Sequence, residues 1–214
     1  MKDGQKIFGL IAIALALIWT GRANAQGNEA GKIAKWDVVY QGTELPAAPW
    51  KVKGSGVNCT AEVKDGALLI TDRGTAPGEY LCYSYPWNIR PEDEVVLEVK
   101  MKVVSASEYS GMTITNGGTV SEVLQFCPAR IRLPFSDKSC RMNTTDAFHV
   151  YRFVIKNRDV KLYVDGELEI DAKEALTYRP EYKNSNGLSF GSAGSDSIDE
   201  SLWEYVRFTI NPAK

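Results

Sequence analysis

The chain is poor in the residues on which most catalytic centres are built. It has a single histidine, His149, so any Ser-His-Asp or Cys-His relay must run through that one ring. The one G-x-S-x-G spacing, Gly187-Leu188-Ser189-Phe190-Gly191, falls in a strand-like run and not at the strand-to-helix elbow that would present a serine to it. Cysteine is scarce as well: Cys59, Cys82, Cys127 and Cys140 include no C-x-x-C pair, which argues against a zinc site. Charge of one sign is also missing. Lys and Arg number 25 against 27 Asp and Glu, for a formal net charge of −2, and the charges are dispersed. That excludes the electrostatic footprint of a nucleic-acid or anionic-membrane binder. Internal repeats, low-complexity linkers and compositional breaks are absent, so one domain is the economical reading.

Long apolar runs are missing too, with one exception at the start. Lys2 and Lys6 precede the run from Phe8 to Trp19, and Ala23-Asn24-Ala25 follows as a small-x-small cleavage site. The run is shorter than the ~20 residues that span a bilayer. The pattern predicts a secretory signal over 1–25, cut after Ala25, a flexible lead over 26–33, and one domain over 34–214 that is secreted or periplasmic. Removing Lys2, Asp3, Lys6 and Arg22 with the leader takes away +2 and leaves −4. An even cysteine count in an exported chain predicts disulfides. Four cysteines allow three pairings. The expected one is Cys127 with Cys140, which bracket a short segment, and Cys59 with Cys82, which sit on strands that can be neighbours.

What is present is strand after strand. From Glu94 to Val103, Val95, Leu97, Val99, Met101 and Val103 alternate with Val96, Glu98, Lys100 and Lys102, the period of a half-buried strand. Similar runs cover 35–40, 67–71, 79–85, 111–115, 121–126, 130–135, 150–156, 160–164, 188–190 and 202–210. Asp65-Gly66, Asn116-Gly117-Gly118 and Asp165-Gly166 supply the positive φ of tight hairpins. Pro77-Gly78 and Arg90-Pro91 mark looser connections. Asp171 to Tyr178 suits a short helix or turn. Short strands with frequent turns predict a sandwich or barrel.

The hairpin from His149 through Asp165-Gly166 to Leu168, and the strand Trp203-Glu204-Tyr205-Val206-Arg207-Phe208 after Gly187-Leu188-Ser189-Phe190-Gly191, resemble the concanavalin A-like lectin/glucanase superfamily in its laminin-G-like branch. The opening segment Trp36 to Gly42, with Leu45 and Pro49-Trp50, is similar in layout to 3-keto-disaccharide hydrolases and to accessory domains of sialidases. The resemblance implies an all-β, two-sheet antiparallel jelly-roll sandwich that meets a polysaccharide or glycan on its concave sheet. It implies no required cofactor, although laminin-G-like sandwiches often hold Ca²⁺. Glu169-Ile170-Asp171-Ala172-Lys173-Glu174 matches the E-x-D-x-x-E spacing of laminarinase-type hydrolases. It follows Val164-Asp165-Gly166, whereas in those enzymes it precedes the matching strand pair, and it reads as an exposed strand end.

Several side chains suit a sugar site. Arg130 and Arg132 flank Ile131 and leave one face, where two guanidinium forks would grip a carboxylate or sulfate. Tyr80, Tyr83, Tyr85 and Trp87 cluster, and a tyrosine ring can stack on a sugar while its hydroxyl bonds. At least one face of that strand must be core. The expected binding set is Tyr83, Tyr85, Gln125, Arg130 and Arg132. Should the chain instead cleave glycans as a hydrolase or lyase, Glu79 and Glu122 are the acids to test. Asp196, Asp199 and Glu200 form the oxygen-rich stretch in which a Ca²⁺ ion would sit. His149, in one run with Tyr151, Phe153 and Ile155, reads as a packed structural residue. Asn58-Cys59-Thr60 and Asn143-Thr144-Thr145 are glycosylation sequons. The favoured function is non-catalytic carbohydrate recognition, with a glycan-cleaving enzyme and an envelope protein-interaction module as alternatives. No nucleic-acid partner and no membrane span in the mature chain are expected.

Overall fold

The computed structural model describes residues 35–54, 56–116, 120–182, 185–192 and 198–211. The signal and most of the lead lie outside the described residues. Among the described residues, no helix is long and apolar enough to cross a membrane. They form two antiparallel sheets that pack face to face as a sandwich. In chain order the strands are β1 Val38–Gln41, β2 Lys51–Lys53, β3 Cys59–Lys64, β4 Ala67–Asp72, β5 Cys82–Pro86, β6 Glu94–Ala106, β7 Ser110–Asn116 and β8 Val120–Cys127. They continue as β9 Arg130–Leu133, β10 Lys138–Arg141, β11 His149–Lys156, β12 Asp159–Val164, β13 Glu167–Ala172, β14 Thr177–Tyr178, β15 Gly187–Ser192 and β16 Asp199–Asn211. The first sheet runs β13-β12-β11-β6-β16-β4-β3, with β1 on β16, and the second runs β10-β9-β8-β7-β15-β5-β2, with β14 on β8.

Local chemistry sets the hairpins. Asp65 and Gly66 at φ 52° and 80° close β3–β4, and Asp165 and Gly166 at 50° and 93° close β12–β13. Two successive left-handed residues match the twist of the strands they join. The stretch 171–178 differs from expectation: it ends β13, turns, and adds β14, and a short 3-10 turn follows at Pro180–Tyr182. Strands β2, β3, β10 and β14 were not legible as alternation. They are short or polar strands at the margins of the sheets, β3 and β10 held by hairpin pairing to β4 and β9, β2 and β14 by pairing to the more distant β5 and β8.

Alternation decides the core. Val95, Leu97, Val99, Met101 and Val103 of β6 face inward with no exposure, beside Tyr151, Phe153 and Ile155 of β11. Across the gap, Phe190 of β15 lies 4.9 Å from Trp203 of β16 and Phe126 of β8 lies 4.8 Å from Tyr151, so aromatic contacts bridge the two sheets. Truncating one such buried ring costs about 3–5 kcal/mol. The outer face of the first sheet is organised around Glu98, which accepts Arg152 Nε at 2.7 Å, Arg207 Nε at 3.0 Å and the Tyr205 hydroxyl at 2.9 Å. Trp36 covers the Arg207 guanidinium at 4.5 Å.

The cysteine expectation is corrected, since all four thiols are free. Cys140 pairs with Ile131, which pairs with Phe126, so it faces the core, whereas Cys127 pairs with Arg130 and faces outward. Side chains on opposite faces of one sheet cannot reach a disulfide's Cβ separation of ~3.8 Å without backbone movement. Cys59 belongs to the first sheet and donates to Asp72 Oδ1 at 3.2 Å, while Cys82 lies on the outer face of the second.

Candidate functional site

The outer face of the second sheet carries a groove of about 450 Å³. Its floor is Cys82 and Ser84 of β5, Gly187 and Ser189 of β15, and Gly111, Thr113 and Thr115 of β7. These residues point out because Tyr83, Leu188, Phe190, Met112 and Ile114, one step along each strand, are spent on the core. Small side chains keep the floor low, and the hydroxyls make it polar. One wall is Lys51 and Lys53 of the edge strand β2 with Tyr80, and the other is Tyr182, Ser185 and Asn186. Tyr182 is anchored by a hydrogen bond to Thr113 and by Phe135, 6.3 Å away, whose ring lies 3.7 Å from the Arg179 guanidinium. Asn186 Oδ1 is buried without a hydrogen-bond partner among the described residues. Burial pushes the Cys82 thiol up to about 11, so it is protonated and inert at neutral pH.

The strand registers draw a line across this face. Lys53 pairs with Cys82, Cys82 with Gly191, Gly191 with Gly111, Gly111 with Gln125 and Gln125 with Arg132. Five strand spacings separate its ends by ~24 Å. Gly191 has φ 131°, and a Cβ there would come within 2.7 Å of the Leu81 carbonyl oxygen, so this step requires glycine.

The expected binding set is divided by the sheet. Arg130, Arg132 and Gln125 leave the outer face together, and Gln125 Oε1 is buried with no hydrogen-bond partner among the described residues. Tyr83 and Tyr85 go the other way. Tyr83 is 4% exposed beside Phe190, and the Tyr85 ring lies 5.0 Å from Trp50 and 5.2 Å from Phe208, in the core. Tyr83 is therefore a packing residue, whereas Tyr85 is half-buried and also lines the groove, together with Tyr80 and Tyr182. Trp87 is also buried, donating Nε1–H to the Thr115 carbonyl at 2.9 Å.

Neither expected acid reaches the groove. Glu79 accepts the amides of Thr75 and Ala76 at 3.0 and 3.1 Å, which lower its pKa and tie down the β4–β5 connection. Glu122 faces inward at one end of β8 and accepts the amides of Val123, Phe135 and Ser136 and the Ser136 hydroxyl. Burial outweighs those bonds and raises its pKa, and its role is to anchor the β9–β10 turn. Glu169 and Asp171 stand exposed on the edge strand β13 of the other sheet, with Lys173 Nζ 3.7 Å from Asp171, in keeping with an ordinary strand end.

The acidic stretch does not assemble either. Asp196 lies outside the described residues. Asp199 and Glu200 are successive residues of β16 and face opposite ways: Asp199 is buried on Ser110, and Glu200 pairs with Arg73 at 3.0 Å. Among the described residues no three His, Cys, Asp or Glu side chains converge on an ion position. A second hollow, of about 330 Å³, surrounds His149. Both ring nitrogens are taken, Nδ1 by Asp165 at 2.7 Å and Nε2 by Asp146 at 3.0 Å. The ring thus braces the start of β11 against two loops, and sequence reasoning had no local signal for either partner.

No family model matches the chain, and no curated protein matches its sequence. Solved structures do match its fold. A prokaryotic β-1,3-1,4-glucanase (lichenase) derived from a mouse hindgut metagenome is 15% identical at a TM-score of 0.58, covering 80% of this chain and 97% of that one. The endo-β-1,3-glucanase from Pyrococcus furiosus is 14% identical at 0.56, covering 83% and 94%. The carbohydrate recognition domain of Emp47p is 12% identical at 0.52, covering 81% and 94%. The chain therefore shares the two-sheet antiparallel sandwich fold of these proteins, a statement about fold alone.

Proposed function

We propose that this protein is an exported, non-catalytic carbohydrate-recognition sandwich that holds a glycan in the groove on the outer face of its second sheet. The observation that carries the reading is the groove itself: a hydroxyl-lined floor with a tyrosine on each wall and, among the described residues, no acidic side chain in its lining. Sugar rings present hydroxyls to Ser84, Thr113 and Ser189 and C–H faces to Tyr80 and Tyr182. Solved sandwiches of the same fold that include glucanases and a carbohydrate recognition domain support a sugar partner by analogy. A laminin-G-like placement within that fold, and the N-terminal signal, belong to the same proposal. The hydrolase reading has less support, because two-carboxylate cleavage needs a pair of acids flanking the bond, and Glu79 and Glu122 are engaged at turns away from the groove.

The experiment is a glycan array with the wild type, Tyr182→Ala and Ser189→Trp. Ser189→Trp should abolish retention by filling the trough from its floor. Tyr182→Ala should weaken it several-fold, an aromatic contact being worth about 0.5–1.5 kcal/mol. Undiminished retention in Ser189→Trp would place the glycan elsewhere.

A further inference from the structure

We propose that the glycan held on this face is anionic, carrying carboxylate or sulfate groups, and lies across the strands from Lys51 and Lys53 to Arg132. This rests on the carbohydrate reading of the face and adds the class of ligand.

The two outer faces treat their cations differently. On the first sheet and its loops most basic side chains are neutralised, Arg152 and Arg207 by Glu98, Lys100 by Glu204, Arg73 by Glu200, Arg158 by Glu174 and Lys173 by Asp159, while Lys64 and Lys102 have no carboxylate partner among the described residues. On the second sheet Lys51, Lys53, Arg130, Arg132 and Arg141 all point outward, and among the described residues none has a carboxylate within 4.0 Å. No outward position of β2, β5, β15, β7, β8, β9 or β10 holds an acid. In a chain of net charge −2 such a face does not follow from composition. Left uncompensated, these cations attract an anionic partner.

The spacing of the charge selects the kind of polyanion. A nucleic-acid strand carries a phosphate every ~3.4 Å and would need basic residues all along its path. Here the cations stand at the two ends of the line, and Cys82, Gly191, Gly111 and Gln125 between them are neutral. A glycan whose charged groups are separated by hydroxyl-bearing rings fits that pattern. Its hydroxyls meet the floor and the unpartnered Gln125 Oε1, and its anionic groups meet Lys53 at one end and the Arg132 fork at the other.

Affinity electrophoresis at low salt tests this with polygalacturonate as the carboxylate probe, dextran sulfate as the sulfate probe, neutral dextran, and poly(dT). At least one acidic polysaccharide should retard the wild type, and which one identifies the group. The double variant Lys53→Gln/Arg132→Gln should weaken that retardation tenfold or more. Lys156→Gln, which removes the same kind of charge from the opposite sheet, should stay within twofold. Retention should fall as salt rises, since an open groove screens poorly held charges. An equal loss in Lys156→Gln would reduce the effect to net charge and overturn the proposal. So would poly(dT) binding as tight as the acidic glycans. Retention of neutral glycans alone would overturn it while leaving the carbohydrate reading intact, whereas no retention on any glycan would remove both.

Discussion

Glu98 is the sharpest place to test how the sandwich is held together. Its carboxylate is 1% exposed and receives Arg152, Arg207 and the Tyr205 hydroxyl, with Arg152 Nη2 at 2.6 Å. Removing one partner of a buried ion pair costs about 3–5 kcal/mol because the other charges lose compensation. The Arg152 and Arg207 side chains keep 27% and 30% exposure, so the stripped guanidinium groups can partly rehydrate. We therefore expect Glu98→Ala to destabilise by ~2–3 kcal/mol, which is roughly 5–10 °C in melting temperature for a domain of this size. Urea unfolding at pH 7 reads the change as a lowered midpoint. Burial pushes the Glu98 pKa up, but the hydrogen bonds from Arg207, Arg152 and Tyr205 outweigh it and the net shift is downward. A group with a depressed folded pKa contributes stability above its unfolded value, near 4.3, that is lost as pH falls through the folded value. The gap between wild type and variant should thus be full at pH 6 and shrink progressively below about pH 4. A cost under ~0.5 kcal/mol, the level of an exposed ion pair, or a gap that does not change with acid, would refute the reasoning.

Two further measurements use the opposite sign of the same linkage. Burial pulls the His149 imidazole down, but the bonds and charges of Asp146 and Asp165 outweigh it and hold its pKa above the ordinary value. Its contribution is full below its unfolded pKa of ~6.5 and fades as pH rises through the raised value. His149→Gln should accordingly lose about 1 kcal/mol at pH 5 and almost nothing at pH 9 in thermal melts, and an equal loss at both pH values would count against the brace. Asp199 is pushed up to about 7 by burial and by Asp72 alongside, so its favourable state is the protonated one, present at low pH and lost as pH rises through 7. Asp199→Asn should gain on the wild type progressively as pH rises from about 4 to 7 and stand about 1–2 kcal/mol ahead at pH 8.5 in urea unfolding. A difference independent of pH would show that Asp199 does not titrate in this range.

The residues that determine their own conformation were legible before folding was known. The alternation of 94–103 made β6, and Asp165-Gly166 made the turn of the β12–β13 hairpin, because both signals act over a few neighbouring residues. The same parity placed Arg130 and Arg132 on one side of β9, as the register bears out. Parity states which side chains share a face but not which face becomes core, and that depends on what the sheet docks against. Tyr83 and Tyr85 were turned inward by contacts with Phe190, Trp50 and Phe208, residues up to more than a hundred positions away. Lys51 and Lys53 sit on a strand too short and polar to announce itself, and they join the groove only because β2 pairs with β5. The separation of the thiols arose in the same way, since sequence spacing brings Cys127 and Cys140 close while strand register puts them on opposite faces. Strands and turns came from local periodicity, whereas the groove came from long-range pairing that no short window of sequence contains.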